Sequence, residues 1–178
     1  MQPANDVDLV RRVAAGNREA FRELVSRFQR PLSAYSRRML QDHDAADDVV
    51  QETFLRLWTR ADRFDPAASR PGTWLHRIAH NLCIDLLRGR GRWVPGEPET
   101  DIEGPDHLEA TAQRAADVRR AIAALPERQR SALLLCHYQG LSNREAAEVL
   151  DASVEALESL LARARRQLRR ELEIRRGT

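Results

Sequence analysis

Residues 93–113 divide this chain in two. They hold no arginine and six acids (Glu97, Glu99, Asp101, Glu103, Asp106 and Glu109), together with the prolines and glycines of Trp93-Val94-Pro95-Gly96-Glu97-Pro98 and Gly104-Pro105. No apolar residue recurs there at a helical or strand period, so the stretch reads as a flexible acidic linker. Fully extended, such a linker reaches at most about 70 Å. A chain of 178 residues cut at this point builds two small cores rather than one.

On both sides the apolar residues recur at three-and-four spacing, and no stretch alternates long enough for a strand. In residues 1–92, Leu9, Val10 and Val13 open a short helix that Gly16-Asn17 breaks. Phe21, Leu24, Val25 and Phe28 follow in a second, which Pro31 is expected to end. Leu32, Tyr35 and Leu40 suggest another helix, closed by Gln41-Asp42-His43-Asp44. Ala46, Val49, Val50, Thr53, Phe54, Leu57 and Trp58 share the face of the next. After a break from Asp62 to Gly72, Trp74, Leu75, Ile78, Ala79, Leu82, Leu86 and Leu87 restore the period.

In residues 114–178, Val118, Ile122 and Leu125 lead to Pro126, expected as the first residue of a helix that Gly140 caps. Ser142-Asn143-Arg144-Glu145 is a capping box opening a short helix. Asp151-Ala152-Ser153 is a three-residue turn, with Ser153 as N-cap of a long helix. That helix buries Val154, Leu157, Leu160, Leu161 and Ala164 and turns Arg163, Arg166, Arg169 and Arg170 outward. A short capped helix, a tight turn and a longer helix with a basic face form a helix-turn-helix outline. The fold class is therefore all-α, in two helical domains.

Charge follows the same division. Residues 1–92 carry 16 Arg and 12 acids, and residues 114–178 carry 13 Arg and 9 acids, so +4 and +4 flank a spacer of −6. All 29 cations are arginine, a planar bidentate donor suited to phosphate and guanine. No apolar run reaches the roughly 20 residues of a membrane span, and the polar N-terminus lacks a signal-peptide pattern. Two cysteines, Cys83 and Cys136, suit buried thiols in a reducing cytoplasm. His76, His80 and Cys83 have partial metal-ligand spacing but share no narrow face, so no metal or cofactor is expected, and no catalytic constellation is present.

Three motifs carry a resemblance. Asp44-Ala45-Ala46-Asp47-Asp48-Val49-Val50-Gln51-Glu52-Thr53-Phe54-Leu55-Arg56-Leu57-Trp58 resembles the core-polymerase-binding helix of bacterial extracytoplasmic-function (group IV, sigma-70 type) sigma factors. Thr73-Trp74-Leu75-His76-Arg77-Ile78-Ala79-His80-Asn81-Leu82-Cys83-Ile84-Asp85-Leu86-Leu87-Arg88 is similar to their promoter-melting, −10-reading helix. Ala124-Leu125-Pro126-Glu127-Arg128-Gln129-Arg130, with Gly140-Leu141-Ser142 and Glu145-Ala146-Ala147-Glu148-Val149-Leu150, is similar to their −35-reading domain.

The resemblance implies sigma region 2 over residues 1–92, a linker over 93–113 and sigma region 4 over 114–178. It implies a non-enzymatic sigma factor that gives core RNA polymerase its promoter choice, docking on the β′ clamp helices and the β flap, commonly under an anti-sigma factor. Asp47, Asp48, Gln51, Glu52 and Leu55 are the implied polymerase contacts; an acidic, partly apolar face suits a basic coiled coil. For the −10 element they are Phe64, Arg70, Arg77, His80, Asn81, Arg88, Arg90 and Arg92. Asn81 is the base-contacting candidate, Phe64 shapes the pocket, and Trp74 belongs to the core. For the −35 element they are Ser153, Glu155, Glu158, Ser159, Arg163 and Arg166. Glu158 stands where many members carry a basic residue; a carboxylate there can accept from a cytosine amino group, or simply face solvent or pair with an arginine. The linker would lie near the RNA exit path, either mimicking RNA or serving as a solubilising spacer. The runner-up function is a dimeric helix-turn-helix regulator; a helical adaptor without DNA binding would leave the terminal arginines unexplained.

Overall fold

A computed structural model describes residues 5–89 and 109–176. The linker reading falls on residues outside these, except that a helix already begins at Glu109. Every regular element among the described residues is helical. The first domain contains α1 (Asp6–Ala14), α2 (Arg18–Leu40), α3 (His43–Arg60), a 3₁₀ turn (Ala61–Arg63) and α4 (Pro71–Gly89). The second contains α5 (Glu109–Ala123), α6 (Glu127–Leu133) continued by a π-type turn (Leu134–Tyr138), α7 (Asn143–Val149) and α8 (Val154–Arg176).

Side-chain caps set most helix starts. Asn5, Asn17 and Asp42 accept backbone N–H groups at the starts of α1, α2 and α3, each such cap being worth about 1 kcal/mol. The capping box forms as expected: Ser142 Oγ accepts from Glu145 N, and Glu145 Oε2 accepts from Ser142 N at 2.9 Å. Ser153 Oγ accepts from Ala156 N at 3.1 Å and starts α8. Gly16 and Gly140 take φ of +82° and +68°, a conformation that a side chain would strain.

Two expectations fail. Pro31 does not end a helix; α2 runs through it. A mid-helix proline costs about 3 kcal/mol. Here Ala20 and Leu24 before it and Leu32, Tyr35, Met39 and Leu40 after it are all buried on the same core, which outweighs that cost. Pro126 is the N-cap of α6 rather than its first helical residue, and the helix widens into the π-type turn instead of running evenly to Gly140.

The two domains also pack directly on each other. Helix α4 lies against α7, and α2 against α6 and the π-type turn. Leu9, Leu24, Leu57 and Leu75 of the first domain join Leu134, Leu135, Leu157 and Ala164 of the second in one continuous buried cluster. The two cores expected from the sequence are thus fused.

Candidate polymerase and promoter interfaces

On α3 the apolar stripe of Ala46, Val49, Val50, Phe54 and Leu57 is buried. The helix period therefore turns Asp48, Gln51 and Leu55 outward together, and Leu55 is 55 % exposed, a leucine presented to solvent. Asp47 is also exposed but bonded to Arg37 at 3.3 Å, and half-buried Glu52 is bonded to Arg56 at 2.8 Å. The face is thus acidic at its start and apolar at its end, where Trp58 continues it, edge-on to Phe21 at 5.3 Å. Trp58, expected on the buried stripe, is among the exposed large hydrophobic residues.

A cavity of about 300 Å³ opens between the end of α3 and α4, lined by Arg56, Arg60, Arg63, Trp74, Arg77, Ile78 and Asn81. Four arginines, one tryptophan and one asparagine share its wall, with the Arg56 guanidinium paired to Glu52. Arg77 and Asn81 are expected −10 contacts; Arg56, Arg60 and Arg63, not among the expected residues, line the same cavity. Their spacing of four and three at the end of an amphipathic helix was the available signal. Trp74, expected in the core, is half-buried and walls this cavity while packing against Phe64 at 5.3 Å between ring centres. Phe64 thus stands behind the tryptophan and is not itself a lining residue.

Arg88 is exposed on the last turn of α4; Arg90 and Arg92 lie outside the described residues. Arg70 reaches across to the second domain, where its Nη1 donates to Glu145 at 3.2 Å. His80 does not join Asn81 on the exposed face. It is buried, with Nδ1 2.9 Å from the Tyr35 hydroxyl. Its place on the helix, one residue before Asn81, rotates it inward by about 100°. Burial beside Arg128 and Arg88 pushes the imidazole down to about 4. His76 is also buried and held low by desolvation; its Nδ1 is 2.7 Å from Gly72 O. Cys83 is pushed up to about 12 by burial, as expected of an inert thiol. No group of three metal-ligating side chains occurs among the described residues.

On α8, Ser153, Glu155, Glu158, Ser159, Arg163 and Arg166 are all exposed. Buried Leu157, Leu161 and Ala164 fix the opposite face, so Glu155, Glu158, Ser159, Arg163 and Arg166 form one stripe down the helix, with Ser153 as the N-cap at its start. Glu155 is held below the usual carboxylate range by backbone N–H and Ser153 hydroxyl bonds at the helix start. Glu158 accepts from Asn143 Nδ2 at 3.4 Å, which ties it to the first turn of α7.

The joint between the domains is polar as well as apolar. Arg130 Nη1 donates to Met39 O at the end of α2 (2.8 Å), while its Nη2 donates to Ala123 O (2.7 Å) and Leu125 O (3.2 Å) within the second domain. Ser131 Oγ lies 3.5 Å from Met39 Sδ, His76 Nε2 lies 3.4 Å from Gln139 Oε1, and the Arg38 guanidinium sits 4.7 Å above the Tyr138 ring.

Residues 24–92 match the family described as Sigma-70 region 2, and residues 115–168 match Sigma-70, region 4. The RNA polymerase sigma factor NccH of Alcaligenes xylosoxydans xylosoxydans is 34 % identical over 93 % of this chain and 94 % of its own length. The ECF RNA polymerase sigma factor SigM of Mycobacterium tuberculosis is 35 % identical over 93 % and 84 %. Among solved structures, CnrH in complex with the cytosolic domain of CnrY superposes with a TM-score of 0.74 at 31 % identity, covering 95 % of this chain and 97 % of that one. The sigma factor RpoE of Bartonella quintana, in complex with the anti-sigma factor NepR, gives 0.72 at 25 % identity, covering 86 % and 97 %. Among the described residues no helix is long and apolar enough to cross a membrane. The chain belongs to the extracytoplasmic-function sigma factors of the sigma-70 family, the proteins that bind core RNA polymerase and direct it to promoters.

Proposed function

We propose that the three exposed surfaces divide the work of promoter-directed initiation. The Asp48–Gln51–Leu55 face of α3, with Asp47 and Glu52 at its margin, docks on the β′ clamp helices. Its carboxylates meet basic side chains while Leu55 and Trp58 bury apolar area. The cavity beside α4 receives a promoter base taken out of the stack. Trp74 supplies an aromatic wall, Asn81 a donor and acceptor for a base edge, and Arg56, Arg60, Arg63 and Arg77 the cations for flanking phosphates. Arg88 continues this basic track along the single strand, with Arg90 and Arg92 as its extension.

The α8 stripe enters the −35 major groove, where Glu158 reads a base and Arg163 and Arg166 hold phosphates. The second domain also rests on the β flap. Residues 1–92, 93–113 and 114–178 act as region 2, linker and region 4. The protein works in the cytoplasm without catalysis of its own, and an anti-sigma factor restrains it, as the complexes of its structural relatives suggest.

The observation that carries this reading is the cavity, because a duplex-binding repressor has no use for a single-base receptacle lined with cations. In vitro transcription with purified core polymerase tests it. Promoter-dependent start sites are expected only when this chain is added, and none from the Asn81→Ala, Arg77→Ala double variant.

A further inference from the structure

Among the described residues Glu158 has no arginine partner, although α8 is rich in arginine. Its neighbours one turn away on the helix are Val154, Glu155, Leu161 and Ala162, so no cation stands where a helical ion pair would form. Its side-chain bond goes instead to a neutral amide: Asn143 Nδ2 donates to Glu158 Oε1 at 3.4 Å. The two residues sit on the two helices of the helix-turn-helix, and both are exposed.

The kind of partner decides what the carboxylate can still do. A guanidinium is a bidentate donor and would occupy both oxygens. One amide N–H takes Oε1, leaves Oε2 to accept from elsewhere and does not neutralise the charge. The amide is itself held. Asn143 is the first residue of α7, beside the Ser142–Glu145 capping box. Cys136, on the π-type turn, lies with Sγ 3.8 Å from Asn143 Oδ1. Burial pushes that thiol up, so it stays protonated and donates. The amide oxygen is thereby turned to the thiol and the amide nitrogen to Glu158. A free glutamate side chain loses rotamer freedom when it settles on a base edge. Held by Asn143, Glu158 has lost part of that freedom before DNA arrives.

We infer that Asn143 is a positioning residue for promoter choice: it fixes Glu158 so that Oε2 meets the amino group of a cytosine in the −35 element. The inference rests on Glu158 entering the major groove, as proposed above, and names the base taken there. Adenine is the other base with an amino group in that groove, but its N7 acceptor lies beside the amino group and repels a carboxylate. Guanine and thymine present only acceptors for hydrogen bonding there and offer Glu158 no donor.

The test uses holoenzyme assembled from the full chain and purified core polymerase. It is offered promoter duplexes randomised across the −35 element with the −10 element held constant, and the bound sequences are counted. Wild type should prefer cytosine about tenfold or more at one position, and Glu158→Ala should erase that preference there alone. Asn143→Asp is close to isosteric and keeps an acid in the first turn of α7, where acids are favoured, but it replaces the donor with a second carboxylate. It should lower the cytosine preference about fivefold at the same position and leave the other positions within about twofold. The preference is a ratio between bases, so a general loss of affinity from the added charge cancels. Asn143→Ala should lower it about threefold. In a Glu158→Ala background neither change at Asn143 should alter base choice further, because the two residues act as one unit. Full cytosine preference in Asn143→Asp, or an Asn143 effect that persists without Glu158, overturns the positioning role. A uniform loss across all sequences in Glu158→Ala instead overturns the reading of Glu158 on which that role rests.

Discussion

Acid should loosen this protein through His80, and the loss can be sized. The imidazole is buried with Tyr35 of α2 beside it and Arg128 of α6 and Arg88 of its own helix nearby; Arg130 acts on the same Tyr35. None of these is a carboxylate, so nothing offsets a new positive charge. Its value falls from 6.5 to about 4 on folding. The unfolded chain therefore binds a proton that the folded chain refuses, and the contribution to stability is complete above 6.5 and lost as pH falls below it. Between pH 7.5 and 5.5 the folded state should lose about tenfold in its equilibrium constant, or about 1.4 kcal/mol, from this group. His76 adds in the same direction. Glu145 lies below the usual carboxylate range and loses its contribution only at more acid pH. Urea unfolding followed by tryptophan emission in a Trp93→Phe background reports on the first domain, where Trp58 and Trp74 sit. His80→Gln retains an acceptor for the Tyr35 hydroxyl but cannot titrate. It should show a pH 7.5-to-5.5 loss smaller than the wild type's by about 1.4 kcal/mol. Equal losses in the two proteins would refute the argument.

Charge reversal at Asp48 combined with Gln51→Ala should abolish co-purification with core polymerase while leaving helix content unchanged, because both side chains are exposed. Asn81→Ala should reduce open-complex formation and relax base choice at the −10 element in a promoter library. Glu158→Ala should lower discrimination by about 1–3 kcal/mol at a single −35 base pair; binding assays across single-base promoter variants would separate this from a uniform loss. Ser142→Ala should cost the second domain about 1 kcal/mol in urea unfolding through loss of the N-cap.

Local chemistry was the legible part of this fold. The capping box, the Ser153 cap and the Gly16 and Gly140 turns are read from residues whose effect reaches no further than four positions along the chain, and the structure has them all. Pro31 was misjudged because its local penalty competes with burial of Leu24, Leu32 and Tyr35, which only the folded core sets. The exposed face of α3 was legible because one apolar stripe fixes its complement. The cavity was half legible: Arg77 and Asn81 stand in a recognised motif, whereas Arg56, Arg60 and Arg63 converge only when α3 packs beside α4. The joint between domains was not legible. Periodicity marks Tyr35 and Leu135 as buried without saying what buries them, and an acidic spacer suggests separation. His80 was drawn to the DNA face by its neighbours in the motif, although its helical phase points to the core.

Arg130 belongs to the joint and to the second domain at once. One guanidinium serves a carbonyl of the first domain and two carbonyls that hold α5 and α6 together in the second. A lysine there would offer a single ammonium to acceptors that lie in different directions. Substitution at this position therefore weakens the second domain along with the joint. Arg38 and Tyr138 are different: they meet only at the margin and are both exposed. Changing those two residues alters the joint alone, whereas changing Arg130 alters the second domain's own fold as well.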